Sequence, residues 1–170
     1  LALPTGWRTN TYIDCDAVKS HIFNQHTPHA AQFDDVRDAY SEHAFRVSAT
    51  KADVAFIGAP CSDHSQLNDY RNAHSLTSRT VVHALRTFLD VGHKIGVLEA
   101  VSGLMTIDNG RLFHEIAAMA APTHSVVPIR IDPRHYGGVQ SRIRYFLVLI
   151  RHDVSRDRGQ LPMPCLLYTS

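Results

Sequence analysis

No apolar run of about 18 residues occurs anywhere in the 170-residue chain, and its opening lacks the basic start, apolar stretch and small-residue cleavage site of a secretion signal. A membrane helix is therefore excluded as a reading of the sequence, and the expectation is a soluble chain with no membrane partner. Cysteine is scarce and unpaired in number. Cys15, Cys61 and Cys165 are far apart, which suits reduced thiols in a cytosolic or nuclear compartment better than a disulfide framework. Charge of one sign is missing too: 17 Lys and Arg stand against 16 Asp and Glu, a formal +1, so bulk charge gives no attraction to nucleic acid. A nucleic-acid partner would need a local basic face. The 12 histidines are scattered, with no His-Glu-x-x-His arrangement and no cysteine cluster beside them, so no metal site is expected. A glycine-rich phosphate loop is also absent from the few residues ahead of Tyr12.

What is present suffices for one moderate core, since 44% of the residues are apolar and the length does not call for a second domain. Residues 1–156 read as one α/β domain. Residues 157–170, with Gly159, Pro162 and Pro164 and no periodicity, read as an irregular tail or a truncated continuation. The chain opens Leu1-Ala2-Leu3-Pro4 without methionine, so both ends read as cut and the domain as partial.

The pattern alternates between strand and helix. Thr11-Tyr12-Ile13 predicts a short strand, and Ala17, Val18, His21, Ile22 and Phe23 recur as on a helix face until Pro28. Phe33-Asp34-Asp35-Val36 predicts a second strand end, which would put Asp35 near Asp14 if the strands are parallel neighbours. Asp53–Ile57 predicts a buried strand and Ser65–Ser78 a polar loop. A helix over Thr80–Val91 ends at Gly92, a strand covers Ile95–Leu98, and a helix over Leu112–Ala121 ends at Pro122. Val126–Ile131 and Tyr145–Ile150 are joined without a helix and predict an antiparallel edge. The fold expected is an open, mostly parallel, doubly wound sheet.

Three residue groups at strand ends carry chemistry. Cys61 follows Gly58-Ala59-Pro60 beyond a buried strand, where an open α/β sheet places its reacting groups. A lone cysteine is more often an inert packing residue, and proximity to a helix start or to cations such as Arg142 or Arg144 would favour its thiolate. Glu99 follows Ile95–Leu98 and is either a solvent-facing carboxylate or a proton holder for a heterocyclic substrate. Gln140-Ser141-Arg142-Ile143-Arg144 alternates, so Gln140, Arg142 and Arg144 would share one strand face, either hydrated or turned to a cleft where guanidiniums recognise carbonyl or phosphate. Asp14 and Asp35 each follow a short apolar segment, as do ribose- and adenine-binding acids in dinucleotide folds. A cysteine acyl-transfer enzyme using Cys61 with a histidine such as His64 is a further reading, but it leaves Glu99 and the arginine pair without roles.

Pro60-Cys61-Ser62, Glu99-Ala100-Val101 and Gln140-Ser141-Arg142-Ile143-Arg144, in this order, resemble the catalytic motifs of DNA (cytosine-5) methyltransferases, and the resemblance runs from about Tyr12 to Ile150. It implies a Rossmann-like sheet, S-adenosylmethionine as cofactor and double-stranded DNA as partner, with a monomer expected for a complete protein. By this resemblance Cys61 attacks C6 of a flipped cytosine, Glu99 contacts N3 and the exocyclic amine, Arg144 meets the ring carbonyl, and Arg142 orients the loop or the covalent intermediate. Asp14 would bind the cofactor ribose and Asp35 its adenine, while Pro60 lines the pocket between cofactor and base. Ser62, Ser65 and Gln140 would contact DNA. The compartment would be cytoplasmic in a prokaryote and nuclear in a eukaryote. Four features depart from the family's pattern. Ala100 replaces the usual asparagine, Ser62 the usual glutamine, and Gly138-Val139 the usual Val-Pro. The opening glycine-rich motif, target-recognition region and closing helix motif are not in the chain. An inactive methyltransferase-like module that binds DNA or cofactor is therefore the alternative reading.

Overall fold

Asp16 begins the first long helix, accepting hydrogen bonds from the backbone N–H groups of Val18 (2.9 Å) and Lys19 (3.2 Å) that the helix itself leaves unpaired. In the computed structural model, which describes residues 6–39, 41–49, 52–58, 76–140 and 142–154, this helix (α1, Ala17–His26) follows strand β1 (Thr11–Ile13) and precedes β2 (Ala31–Phe33). Thr27 closes α1 through its N–H to the Phe23 carbonyl, and Pro28 prevents continuation. The helix was expected, but its apolar spacing does not mark a core face. Val18 and Ile22 are exposed, and Phe23 instead stacks on Tyr12 with centroids 3.8 Å apart.

β1 and β2 pair in parallel, which brings Asp14 and Asp35 to neighbouring strand ends as the sequence suggested. Two short helices unanticipated from sequence, α2 (Val36–Ala39) and α3 (His43–Ala49), then build a small core from Ala39, Phe45 and Ala49 against Ile13, Phe33 and Val91. Phe33 and Phe45 meet edge to face at 5.4 Å. Neither helix is long enough to show a repeating apolar period, so their existence rests on this tertiary burial.

The second sheet has the order β3-β4-β6-β5, with β3 at Val54–Ile57, β4 at Ile95–Ala100, β5 at His124–Ile131 and β6 at Arg144–Arg151. β3 and β4 are parallel, whereas β6 is antiparallel to both β4 and β5. The α/β architecture with parallel pairings and an antiparallel edge was expected, but the parallel strands fall in two sheets rather than one. The β3–β4 crossover is α4 (Leu76–Val91), four residues longer at its start than its periodicity indicated and running into the segment expected as loop. Gly92 ends it at φ +78, donating to Phe88 O and Leu89 O. Between β4 and β5 lie α5 (Ser102–Thr106) and α6 (Arg111–Ala120). A tight turn joins them with Asp108, Asn109 and Gly110 all at positive φ. Asp and Asn tolerate that region better than other residues with a Cβ, and at Gly110 an added Cβ would meet the Met105 carbonyl oxygen at 2.8 Å.

One sheet face carries the main core. Leu98, Ala100, Leu147 and Leu149 meet Val81, Leu85 and Phe88 of α4 and Leu112, Ile116 and Ala120 of α6. Gly96 lies under the Phe88 ring, where a Cβ would come within 2.8 Å of it. The register sends Val54, Phe56, Ile95, Val97, Phe146, Val148, Ile150, Val127, Ile129 and Ile131 to the other face. None of these ten belongs to the buried core, and Phe56 is 68% exposed. Among the described residues no helix is long and apolar enough to cross a membrane.

Candidate functional site

Glu99 and Arg144 are brought together across the β4–β6 ladder. Glu99 lies opposite Phe146, so Arg144, two residues away along β6, projects from the same face. Its Nε donates to Glu99 Oε1 at 3.2 Å, while its Nη1 donates to the Ile143 carbonyl at 3.0 Å. The guanidinium is thereby oriented on two sides, with its side chain 21% exposed against 51% for that of Glu99. Glu99 is a residue of the strand itself rather than the one after it, because β4 continues to Ala100.

The expected common strand face for Gln140, Arg142 and Arg144 is not formed. β6 starts only at Arg144, and Gln140 and Arg142 are exposed in the approach to it. The reason lies upstream, in a turn over Pro133–Tyr136 that delays the return of the chain to the sheet. Asp132, 3% exposed, caps this turn through Arg134 N at 3.1 Å and receives the Arg134 guanidinium at 2.7 Å. That guanidinium holds the Asp132 carboxyl down to about 2. Gly138 N–H returns to the Pro133 carbonyl at 2.9 Å, and a Cβ at Gly138 would collide with that same carbonyl oxygen. Asp132 followed by proline at the first helical position is a capping signature, so this element was legible in the sequence though not anticipated there. Ile131, Pro133, Tyr136 and Gly138 line a shallow apolar pocket beside the arginine segment.

Beyond β1, Asp14 accepts from the Tyr12 hydroxyl at 3.3 Å and from Asp16 N–H at 2.9 Å, with Lys19 Nζ 3.9 Å away. Burial, with the Asp14 charge second, pushes the Tyr12 phenol up. Asp35 is engaged by Arg37, whose backbone N–H donates at 2.8 Å and whose Nε donates to both carboxylate oxygens at 2.9 and 3.0 Å. Nη2 of Arg37 adds a short contact. The side-chain hydrogen bonds of Arg37 lower the Asp35 carboxyl to about 2. Nothing in the sequence pattern singled out Arg37, because a partner two residues away in a four-residue helix follows no apolar period. Cys15, between Asp14 and Asp16, is exposed with a free thiol.

Pro60, Cys61, Ser62, His64 and Ser65 lie outside the described residues, as does Ser141. The segment bearing Cys61 leaves β3 at Gly58. Ile57 is level with Leu98 in this parallel pair, so Gly58 and Glu99 follow at the same, C-terminal ends of β3 and β4.

Comparison with known proteins places the chain in a family. The model of the C-5 cytosine-specific DNA methylase family matches residues 7–164. The Type II methyltransferase M.BspRI of Lysinibacillus sphaericus is 29% identical over 109 residues, which is 61% of this chain and 24% of that protein. The fold is shared with a prophage-encoded E. coli protein assigned as a DNA modification methyltransferase, at TM-score 0.69 and 17% identity, covering 91% of this chain and 43% of that one. It is also shared with the methyltransferase EhMeth of Entamoeba histolytica, at TM-score 0.64 and 16% identity over 91% and 48% of the two chains. The chain thus spans about a quarter of the bacterial relative and less than half of either structure. With the family's pattern running through nearly its whole length, the chain belongs to the C-5 cytosine-specific DNA methylases.

Proposed function

We propose that this chain is the catalytic part of an enzyme that methylates C5 of cytosine in double-stranded DNA, with S-adenosylmethionine as methyl donor and Cys61 as nucleophile. The observation that carries the reading is the Glu99–Arg144 pair, held near the C-terminal end of β4, level with the end of β3 that precedes Pro60-Cys61 in sequence. The Cys61 thiolate forms a bond to C6, and the electron pair displaced into the ring is relieved by a proton that Glu99 holds at N3. Arg144, tethered through Nε and Nη1, directs its Nη2 toward the ring carbonyl, and Arg142 steadies the covalent intermediate from its exposed position. Once the methyl group is on C5 and the donor has been released as its thioether, the C5 proton passes to solvent water, and the C–H electron pair re-forms the C5–C6 double bond and expels the Cys61 thiolate.

The residues present suit the donor at its nucleoside end. Asp14 beyond β1 takes ribose hydroxyls and Asp35 beyond β2 takes the adenine amine, both following the ends of two paired parallel strands. Pro60 separates the cofactor from the base, and Ser62, Ser65 and Gln140 hold the DNA around the flipped nucleotide. The donor supplies the methyl group.

One observation favours the alternative of an inactive module. Ala100, 1% exposed, is a member of the apolar core at the position where the family's motif carries asparagine, so that amide's hydrogen bonds have no donor or acceptor here. Trapping on duplex DNA containing 5-fluorocytosine separates the two. A covalent complex formed by the wild type and by Cys15→Ala but lost in Cys61→Ala assigns the nucleophile, and equal trapping by Cys61→Ala overturns it. No trapping by the folded wild type transfers the reading to the inactive module.

A further inference from the structure

At the opposite end of the sheet from Glu99, two histidines are buried beside one phenylalanine. His93 is 8% exposed and His124 2% exposed, and both rings contact Phe88, with centroids 5.6 and 5.0 Å away. The hydrogen bonds dictate the proton positions. His93 Nδ1 lies 3.0 Å from the Ala52 carbonyl and so carries the hydrogen. His124 Nε2 lies 2.9 Å from the His93 carbonyl and likewise donates, leaving Nδ1 to accept from the Thr123 hydroxyl at 2.8 Å. This arrangement ties together a residue just ahead of β3, the approach to β4 and the start of β5.

We propose that His93 is an acid-sensitive latch, whose uptake of a proton at Nε2 opens the junction at the N-terminal ends of β3 and β4. Among the described residues Nε2 has no hydrogen-bond partner, and its surroundings offer no carboxylate dedicated to it. Asp53, before β3, pairs with Lys94 at 2.6 Å, and Asp153, after β6, pairs with Arg151 at 2.6 Å. Arg151 also reaches the Gly92 carbonyl, His152 is exposed with its N–H on the Thr123 carbonyl, and Asp90 of α4 is exposed. A charge on His93 would therefore be buried against the Phe88 ring, with the His124 ring opposing it. The attraction of an imidazolium for an aromatic face is smaller than this burial cost. Burial is the largest influence on His93 and lowers its proton affinity, with the His124 ring acting in the same sense and the Ala52 bond against it.

The sign follows from linkage. A histidine whose affinity is lower in the closed form leaves stability unaffected above the ordinary value near 6.5 and removes it as pH falls below, where only the open form takes the proton. Amide hydrogen exchange of the 170-residue chain, corrected for intrinsic rates, reads this directly. Between pH 7.5 and 5.5 the opening constant over residues 52–57 and 93–97 is expected to rise, with about tenfold as the ceiling. His93→Asn keeps a donor near the Nδ1 position and carries no titratable proton, so its response is expected to be flat, while the exposed-site control His152→Asn responds like the wild type. An unchanged response in His93→Asn, or none in the wild type, overturns the proposal. Should that variant fail to fold, the ring signals of wild-type His93 decide. Persistence of the neutral Nδ1–H form in the closed protein down to pH 5.5 supports the latch, and ordinary titration with unchanged amide protection overturns it.

Discussion

Asp35 and Arg37 illustrate how a single pair can set both a charge and a binding site. The Arg37 guanidinium and backbone N–H occupy the Asp35 carboxylate, so an adenine amine at Asp35 has to share or displace those bonds. With the Asp35 carboxyl at about 2 rather than 3.8, the pair's contribution to stability is complete above pH 3.8 and is lost as pH falls toward 2. Arg37→Ala is expected to raise the carboxyl toward 3.8 without reaching it, since the N–H of residue 37 still donates. A titration of the Asp35 carboxyl carbon by NMR checks this, and a value still near 2 would sink the assignment to the guanidinium. Asp14, Asp35, Glu99 and Arg144 were visible as candidates in sequence because each ends or begins an apolar run. Their partners Tyr12 and Arg37 were not, because hydrogen bonds between near neighbours leave no periodic trace.

At the scale of elements, close approach explains why small residues occupy the sheet interior. Gly96 lets Phe88 of α4 lie flat on β4, and Gly96→Ala would force that ring and Leu149 apart. The expected cost is about 1–3 kcal/mol in denaturant unfolding. Leu147→Ala, removing a fully buried side chain of β6, is expected to cost about 2–5 kcal/mol. A cost below 0.5 kcal/mol for either would contradict the packing described. α4 and α6 were legible because they are long and one-sided, with Val81, Leu85 and Phe88 on one and Leu112, Ile116 and Ala120 on the other. α2, α3 and α5 have four to seven residues and lack that signal. The early start of α4 was hidden by a polar first turn, where helix is set by continuity with the packed turns behind it.

For the whole molecule, the decisive asymmetry is between the two faces of the four-stranded sheet. One is packed by α4 and α6, while the other presents Phe56, Val97, Val148, Phe146 and their neighbours partly or largely exposed and carries Glu99 and Arg144 near one end of its two central strands. Exposed apolar surface of this extent favours dye binding and self-association. The 170-residue chain is expected to bind a hydrophobic dye and to associate with rising concentration, and Phe56→Ser to reduce both with little loss of stability. Unchanged dye binding in that variant would show that the accessible surface lies elsewhere.

The sequence alone determined the α/β alternation, the antiparallel last pair, the candidates at the strand ends and the family resemblance, because apolar periodicity and motif order are local properties of the chain. Only the tertiary structure decided that the strands form two sheets, that Gln140 and Arg142 precede β6 instead of sharing its face, and that Arg144 rests on Glu99. It also decided that, among the described residues, His93 and His124 are buried. These depend on register, crossover and burial, which bring together residues tens of positions apart and are set by the packing of whole elements.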